Sequence, residues 1–533
     1  MLANLPLGPY LIPCLLLVTV LVGVISRHKP GKPPDLPWLN HHEGEWFGRT
    51  RARFRTVGNF RDSIHSAYTK YSKAAQSCIV PSLADEVILL PAQCIDWLIA
   101  QPDSLVSNLD AIKDVLLPHY TLLRPDIVHN PTHHQTIRGP LTRNLAGLVP
   151  DIFDEVASAF DDLWGTDTSE WKEICPYESM LRIVARGSNR VFVGKSLCRD
   201  PELLDIAVKW AQLMPMSASI LRQLPLFSRP FLAPLITFFN HWYARKFIKI
   251  VKPEVIRRQQ LAQSQKADKP NDLLQWTIDL AESSALVSER DPETIALRLL
   301  VINFAAIHTS TFSVTHAIFD LVSSDSSYQL QIREEVHEAL AANSGKWDKG
   351  VLQRLVKLDS SMRESSRLGS FLSFGLSRKV IAPDGLKAPN GTHCPRGSTI
   401  AVPTNGIHND AGIYDDAAEY KPFRFADLRE SAPTPDDQEA ESPLEKNTTH
   451  LVKNANLSFV SLSPQYHPFG YGRHACPGRF FASNELKLLL AYMFDNYEIE
   501  SDSARPSRKW VGSTLLPPMV EKVKVRKLDN VAV

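Results

Sequence analysis

Apolar and polar positions along the chain change rhythm several times, and each rhythm predicts an element. From Leu5 to Ile25 there is no charge at all: LPLGPYLIPCLLLVTVLVGVI. Those 21 residues would form about 30 Å of helix, enough to cross a bilayer core. Arg27, His28, Lys29 and Lys32 follow at once. Flanking positive charge stays on the cytosolic side, so residues 1–4 are expected in the lumen, 5–25 as a single membrane anchor and the rest in the cytosol. A cleaved signal peptide would need basic residues before the run and a small-residue site after it, and neither is present. Residues 26–40 hold Pro30, Pro33, Pro34 and Pro37 and read as a semi-rigid linker.

Beyond residue 41 the helical rhythm dominates. Residues 86–101 read as a short strand, a turn and a helix, and 150–165 and 203–217 repeat apolar residues at helical spacing. Residues 224–239, LPLFSRPFLAPLITFF, are apolar and broken by three prolines, which fits either core or a segment dipping into a membrane face. The longest predicted helix is 291–323, with Asp291 as cap and Pro292 in the first turn. Helices are also predicted over 326–343, 349–368 and 477–495. The stretch between the last two holds short strands and turns, followed by a polar surface insertion at 427–457. The fold class is therefore mainly α with a minor β part.

Composition narrows the functional classes. Across 533 residues, 59 Lys and Arg nearly cancel 58 Asp and Glu, so no basic excess points to nucleic acid. Seven cysteines, none in a C-x-x-C pair, argue against a disulfide scaffold. Sequons at Asn390, Asn447 and Asn456 are silent on a cytosolic body.

One cysteine stands out. Cys476 lies in HPFGYGRHACPGRFFA, immediately before the last helix, and is a buried apolar residue, half of a disulfide, or a ligand. A ligand thiolate needs backbone N–H donors and restricted water. Phe469 can cover the sulfur, Gly472 and Gly478 allow close backbone approach to a flat ligand, and Pro477 suits a helix start whose dipole favours an anionic sulfur. No Cys or His lies at zinc spacing, whereas one type of haem site takes a single thiolate.

The stretch FGYGRHACPG resembles the haem-thiolate signature of the cytochrome P450 monooxygenases, with Phe469, Gly472, Cys476 and Gly478 at its four defining positions. The resemblance implies the cytochrome P450 fold over residues 41–533, haem b with Cys476 as the axial iron ligand, and a buried Glu364–Arg367 pair (MRESSRL) joined by Arg424 (YKPFRF). It implies that Thr309, in FAAIHTST, hydrogen-bonds bound dioxygen. His308 replaces the usual acid there and is expected to relay protons. Ala305 and Ala306 would let haem and oxygen approach the helix. Basic partners for the haem propionates are expected at Arg138 and at His134, which replaces a tryptophan. His474 replaces the usual arginine near the cysteine, Arg473 is shifted by one position, and Arg378 is a further candidate.

As implied by the same resemblance, O2 is activated and a C–H bond of an apolar small molecule is hydroxylated or further oxidised. Electrons come from NADPH through a separate membrane reductase, with a cytochrome b-type donor as a possible second source. The pocket would draw on residues 105–125, Phe304, Thr309, Phe371–Phe374 and Thr514–Leu516. GRHACPGRFFA and AAIHT look most like fungal members of the endoplasmic reticulum that oxidise terpenoid or meroterpenoid skeletons in secondary metabolism. Two rivals stand beside this reading. A haem-thiolate isomerase or dehydratase that uses no O2 is disfavoured by Thr309. A non-catalytic haem- or sterol-binding membrane protein leaves Thr309 and the Glu364–Arg367–Arg424 set without a role other than fold maintenance.

Overall fold

In the computed structural model, the structure describes residues 35–263, 269–430, 456–501 and 504–529. The expected anchor at 5–25, most of the linker and most of the insertion at 427–457 lie outside the described residues. The chain divides into two compact units.

The first unit comprises residues 35–128, 212–243 and 374–406. Its main sheet has five strands in the order Cys78–Pro81, Glu86–Leu89, Thr399–Val402, Gly375–Val380 and Val106–Ser107. One pairing is parallel, Glu86–Leu89 with Thr399–Val402, which sets Ile88 opposite Ile400. The others are antiparallel. The strand at 86–89 and the helix Ile95–Ala100 fall where the sequence predicts them. Residues 224–239 form the helix Arg229–Ile236 and the start of Phe238–Gln263. The stretch is divided: Leu224 and Ala233 are buried in a small core cluster, whereas Phe227, Phe231, Leu235 and Phe239 are exposed, Phe231 and Leu235 on one face of Arg229–Ile236.

The second unit, residues 129–211, 244–373 and 407–529, is helical. Its centre is Pro292–Val322, 31 residues long. Asp291 caps it by accepting the Glu293 N–H at 3.2 Å, and Pro292 costs no internal hydrogen bond at the first position. Length and apolarity would let this helix cross a membrane, yet it lies within the fold, packed against Pro176–Phe192, Val356–Leu368 and Arg479–Asn496. The helices expected over 150–165, 203–217, 326–343 and 477–495 appear as Thr142–Trp164, Pro201–Gln223, Ser326–Ala341 and Arg479–Asn496. The helix predicted over 349–368 is two, Lys349–Arg354 and Val356–Leu368, because Leu355 at ψ 72° breaks the hydrogen-bond ladder between them. A three-stranded sheet (Lys172–Ile174, Val523–Lys527, Tyr497–Glu500) and the hairpin Lys509–Val511/Thr514–Leu516 complete the unit.

Candidate active site

The thiol loop sits between an ordered turn and a helix start. Gly470 and Gly472 take φ of 76° and 72°, which a side chain would strain. The two turns bring the Cys476 N–H onto the Phe469 carbonyl at 2.7 Å. The Phe469 ring rests edge-on against Phe459, with centroids 5.2 Å apart. Three residues past the cysteine, Arg479–Asn496 begins. Cys476 is half-buried. Burial pushes its thiol above the ordinary range, while hydrogen bonds from the Gly478 and Arg479 backbone N–H groups and the Arg479 charge pull it down. Helix-end amides directed at sulfur are what a thiolate needs. Arg479 also donates to the Cys476 carbonyl at 3.0 Å.

Gly478 serves differently from the other two glycines. Its φ is not positive, so its backbone conformation does not require glycine. A Cβ there would meet only Ile137, at 4.0 Å, which leaves room on that side of the loop.

Four basic side chains gather nearby. Arg138 donates to the Arg473 carbonyl at 3.2 Å, and Arg473 donates to His474 Nε2 at 3.2 Å. Burial first, then the Arg138 and His474 charges, hold His134 below its ordinary pKa. This cluster suits a ligand that carries carboxylates. Arg378 belongs to the first unit, where it is buried in strand Gly375–Val380 and donates through Nη1 to the Ser377 carbonyl at 2.9 Å.

On the long helix, Ala305 and Thr309 are exposed and Val301 and Ser313 half-exposed, although most of the helix is buried. At four-residue spacing they form one stripe, so an interior helix here faces open space. The Thr309 hydroxyl donates to the Ala305 carbonyl at 2.7 Å and so offers its oxygen to a ligand as an acceptor. His308 lies one position round. Its Nε2 is 3.4 Å from the Val208 carbonyl, its ring packs edge-on near Phe312 at 6.1 Å, and burial lowers its pKa. It is neutral, with only Nδ1 free of that contact to take up a proton. Phe312 also approaches Phe371, at 5.9 Å, and Leu372 bridges Thr514. This joins two of the expected pocket stretches, 371–373 and 514–515. Residues 105–125 and Phe374 belong to the first unit.

Glu364 and Arg367 are fully buried. They pair through two bonds of 2.8 Å, and Arg424 adds a third to Glu364 at 3.0 Å. Arg367 also donates to the carbonyls of His408 and Ala417, both at 2.7 Å.

These features fit a haem: a half-buried cysteine with two N–H donors on its sulfur, space beside Gly478, a basic cluster, and a long helix that leaves a small residue and a hydroxyl uncovered. Sequence reasoning missed Gly470, whose positive φ shapes the turn, and Arg479, whose backbone and charge both act on the sulfur.

Comparison with known proteins agrees. Residues 119–525 match the cytochrome P450 family. The chain is 34% identical over 508 residues to cytochrome P450 monooxygenase gloP of Glarea lozoyensis, covering 92% of this chain and 90% of that one. It is 36% identical over 504 residues to cytochrome P450 monooxygenase 103 of Postia placenta, covering 93% of each. The retinoic acid-bound cyanobacterial CYP120A1 shares the fold with a TM-score of 0.64 at 16% identity, over 93% of this chain and all of that one.

Proposed function

This chain belongs to the cytochrome P450 family, and from that premise we propose that it is a membrane-anchored fungal monooxygenase of secondary metabolism acting on an apolar, terpenoid-like small molecule. The overall reaction takes substrate, O2, two electrons and two protons to hydroxylated product and water, and the electrons come from NADPH through a separate reductase. The bound haem supplies oxygen activation, assisted by electron density from its thiolate ligand.

The chain's own residues bind, orient and move protons. Cys476 would be the iron ligand, and the Gly478 and Arg479 amides would favour its anionic form against the cost of burial. Arg138, His134, His474 and Arg473 would pair with the haem carboxylates. Thr309 accepts and passes the proton at the exposed stripe, and His308 relays protons towards it by first taking them up at Nδ1. Glu364, Arg367 and Arg424 hold the scaffold of the thiol loop. The uncharged run 5–25 and the exposed Phe227, Phe231, Leu235 and Phe239 both support placement at the endoplasmic reticulum membrane, since large exposed apolar side chains favour burial in lipid.

One observation carries the reading: Cys476 stands half-buried at a helix start, with two backbone N–H donors on its sulfur. The test is the spectrum of the reduced, carbon monoxide-bound protein beside its Cys476→Ser variant. A strongly red-shifted Soret band in the wild type that disappears in the variant is expected. An unshifted band in well-folded wild type would overturn the assignment.

A further inference from the structure

His408 is fully buried, and three of its atoms are committed. Its carbonyl accepts Arg367 Nη1 at 2.7 Å. Its Nε2 accepts the backbone N–H of His467 at 3.0 Å. An amide can only donate, so Nε2 bears no proton and the ring proton sits on Nδ1. Nδ1 lies 2.6 Å from Ser370 Oγ, and the Ser370 hydroxyl passes its own proton to the Ser366 carbonyl at 3.2 Å. Every donor in this chain thus meets an acceptor. The ring is further held by stacking on Tyr466, with centroids 5.6 Å apart and planes 20° apart. Tyr466 in turn carries the Arg363 guanidinium 3.8 Å from its ring centre.

The position of this imidazole gives it a role. Ser366, Arg367 and Ser370 lie on or just past the helix Val356–Leu368. His467 stands two residues before Phe469, at the mouth of the thiol loop. The His467 carbonyl accepts the Gly470 N–H at 3.0 Å, and the Phe469 carbonyl accepts the Cys476 N–H at 2.7 Å. A continuous path of hydrogen bonds and short chain segments therefore runs from Glu364–Arg367 through His408 and His467 to Cys476.

We propose that His408 is a positioning residue for Cys476: through its neutral ring it locks the backbone at His467, and so the start of the thiol loop, to the helix that carries Glu364 and Arg367. A loop released at His467 lets the sulfur drift and lose its ordered N–H donors, which weakens thiolate ligation without removing any group that touches the haem. The inference rests on Cys476 being the iron ligand.

The test uses the full-length holoenzyme with His408→Leu, which removes the acceptor, and His408→Gln, which restores one. Two readouts are followed: deuterium uptake by peptides spanning residues 465–475, and the division of the reduced carbon monoxide complex between red-shifted and unshifted bands. His408→Leu is expected to raise uptake in that segment roughly fivefold to tenfold, the effect of losing one net hydrogen bond, and to move intensity into the unshifted band. His408→Gln should return both towards wild type. Wild-type uptake and spectrum in His408→Leu would overturn the proposal, as would an equal rise in uptake across the whole chain. If His408→Leu fails to fold, Ser370→Ala, which removes only the partner of Nδ1, must still raise uptake at 465–475 by a smaller factor. No change there overturns the proposal. A wild type without the red-shifted band would instead overturn the assignment of Cys476.

Discussion

Replacing Glu485 by glutamine should stabilise the protein above neutral pH and leave it unchanged in acid. Glu485 is fully buried on the helix Arg479–Asn496, where three helices meet. Its Oε1 accepts from Ser188 on Pro176–Phe192 at 2.6 Å, and Ser310 on Pro292–Val322 bonds it as well. Oε2 has no hydrogen-bond partner among the described residues. Burial raises its pKa from 4.5 to about 7, and the two hydroxyls counter this only in part. The folded protein therefore keeps a proton that the unfolded chain releases between pH 4.5 and about 7. Stability falls as pH rises through that window and is level above it. At about 1.36 kcal/mol per pH unit the loss comes to about 3 kcal/mol, a large share of a typical 5–15 kcal/mol total. Glutamine copies the protonated carboxyl and removes the dependence. Urea unfolding at intervals from pH 4.5 to 8, wild type beside Glu485→Gln, should give curves that coincide in acid and separate by about 3 kcal/mol at pH 8. Parallel curves across the range would refute the argument.

Arg367→Leu should cost about 3–5 kcal/mol, because it leaves a buried carboxylate short of its principal partner. Arg424→Leu leaves Glu364 its two bonds to Arg367 and should cost about 1.5–3 kcal/mol. Thermal loss of the Soret band ranks the two, and equal losses would contradict the geometry. On the exposed stripe of the long helix, Thr309→Ala should raise the fraction of NADPH electrons released as peroxide several-fold, because a group that passes protons is lost. His308→Leu should raise it less, since one ring nitrogen is held at Val208; no rise at all would confine His308 to bridging its helix to Pro201–Gln223.

The elements legible in the sequence are those set by short-range rules. Asp291 and Pro292 mark the start of the long helix because capping needs only neighbouring residues. The spacing of Glu364 and Arg367 places them on one helix face, and the glycines, proline and cysteine of 467–482 state the thiol loop and the helix behind it. The helix Pro176–Phe192 was harder to see, because its buried face includes Gly187, Ser188 and Asn189, which blur an apolar stripe. Gly187 is closely approached there: a Cβ would stand 3.4 Å from Val156 and 3.6 Å from Glu485.

Other roles depend on residues remote in the chain. Nothing local marks His408, whose partners are Arg367, Ser370 and a backbone amide at His467, or predicts that Arg138 reaches the Arg473 carbonyl. The apolar stretch 224–239 reads equally as core or surface until packing leaves its phenylalanines uncovered. The sequence by itself determined the family, the ligand and the buried ion pair, because each is written in the spacing of residues a few positions apart. Only the tertiary structure decided which imidazole holds the loop, which carboxyl keeps its proton and which apolar face stays open, because burial and hydrogen-bond partnership belong to the neighbours that folding supplies.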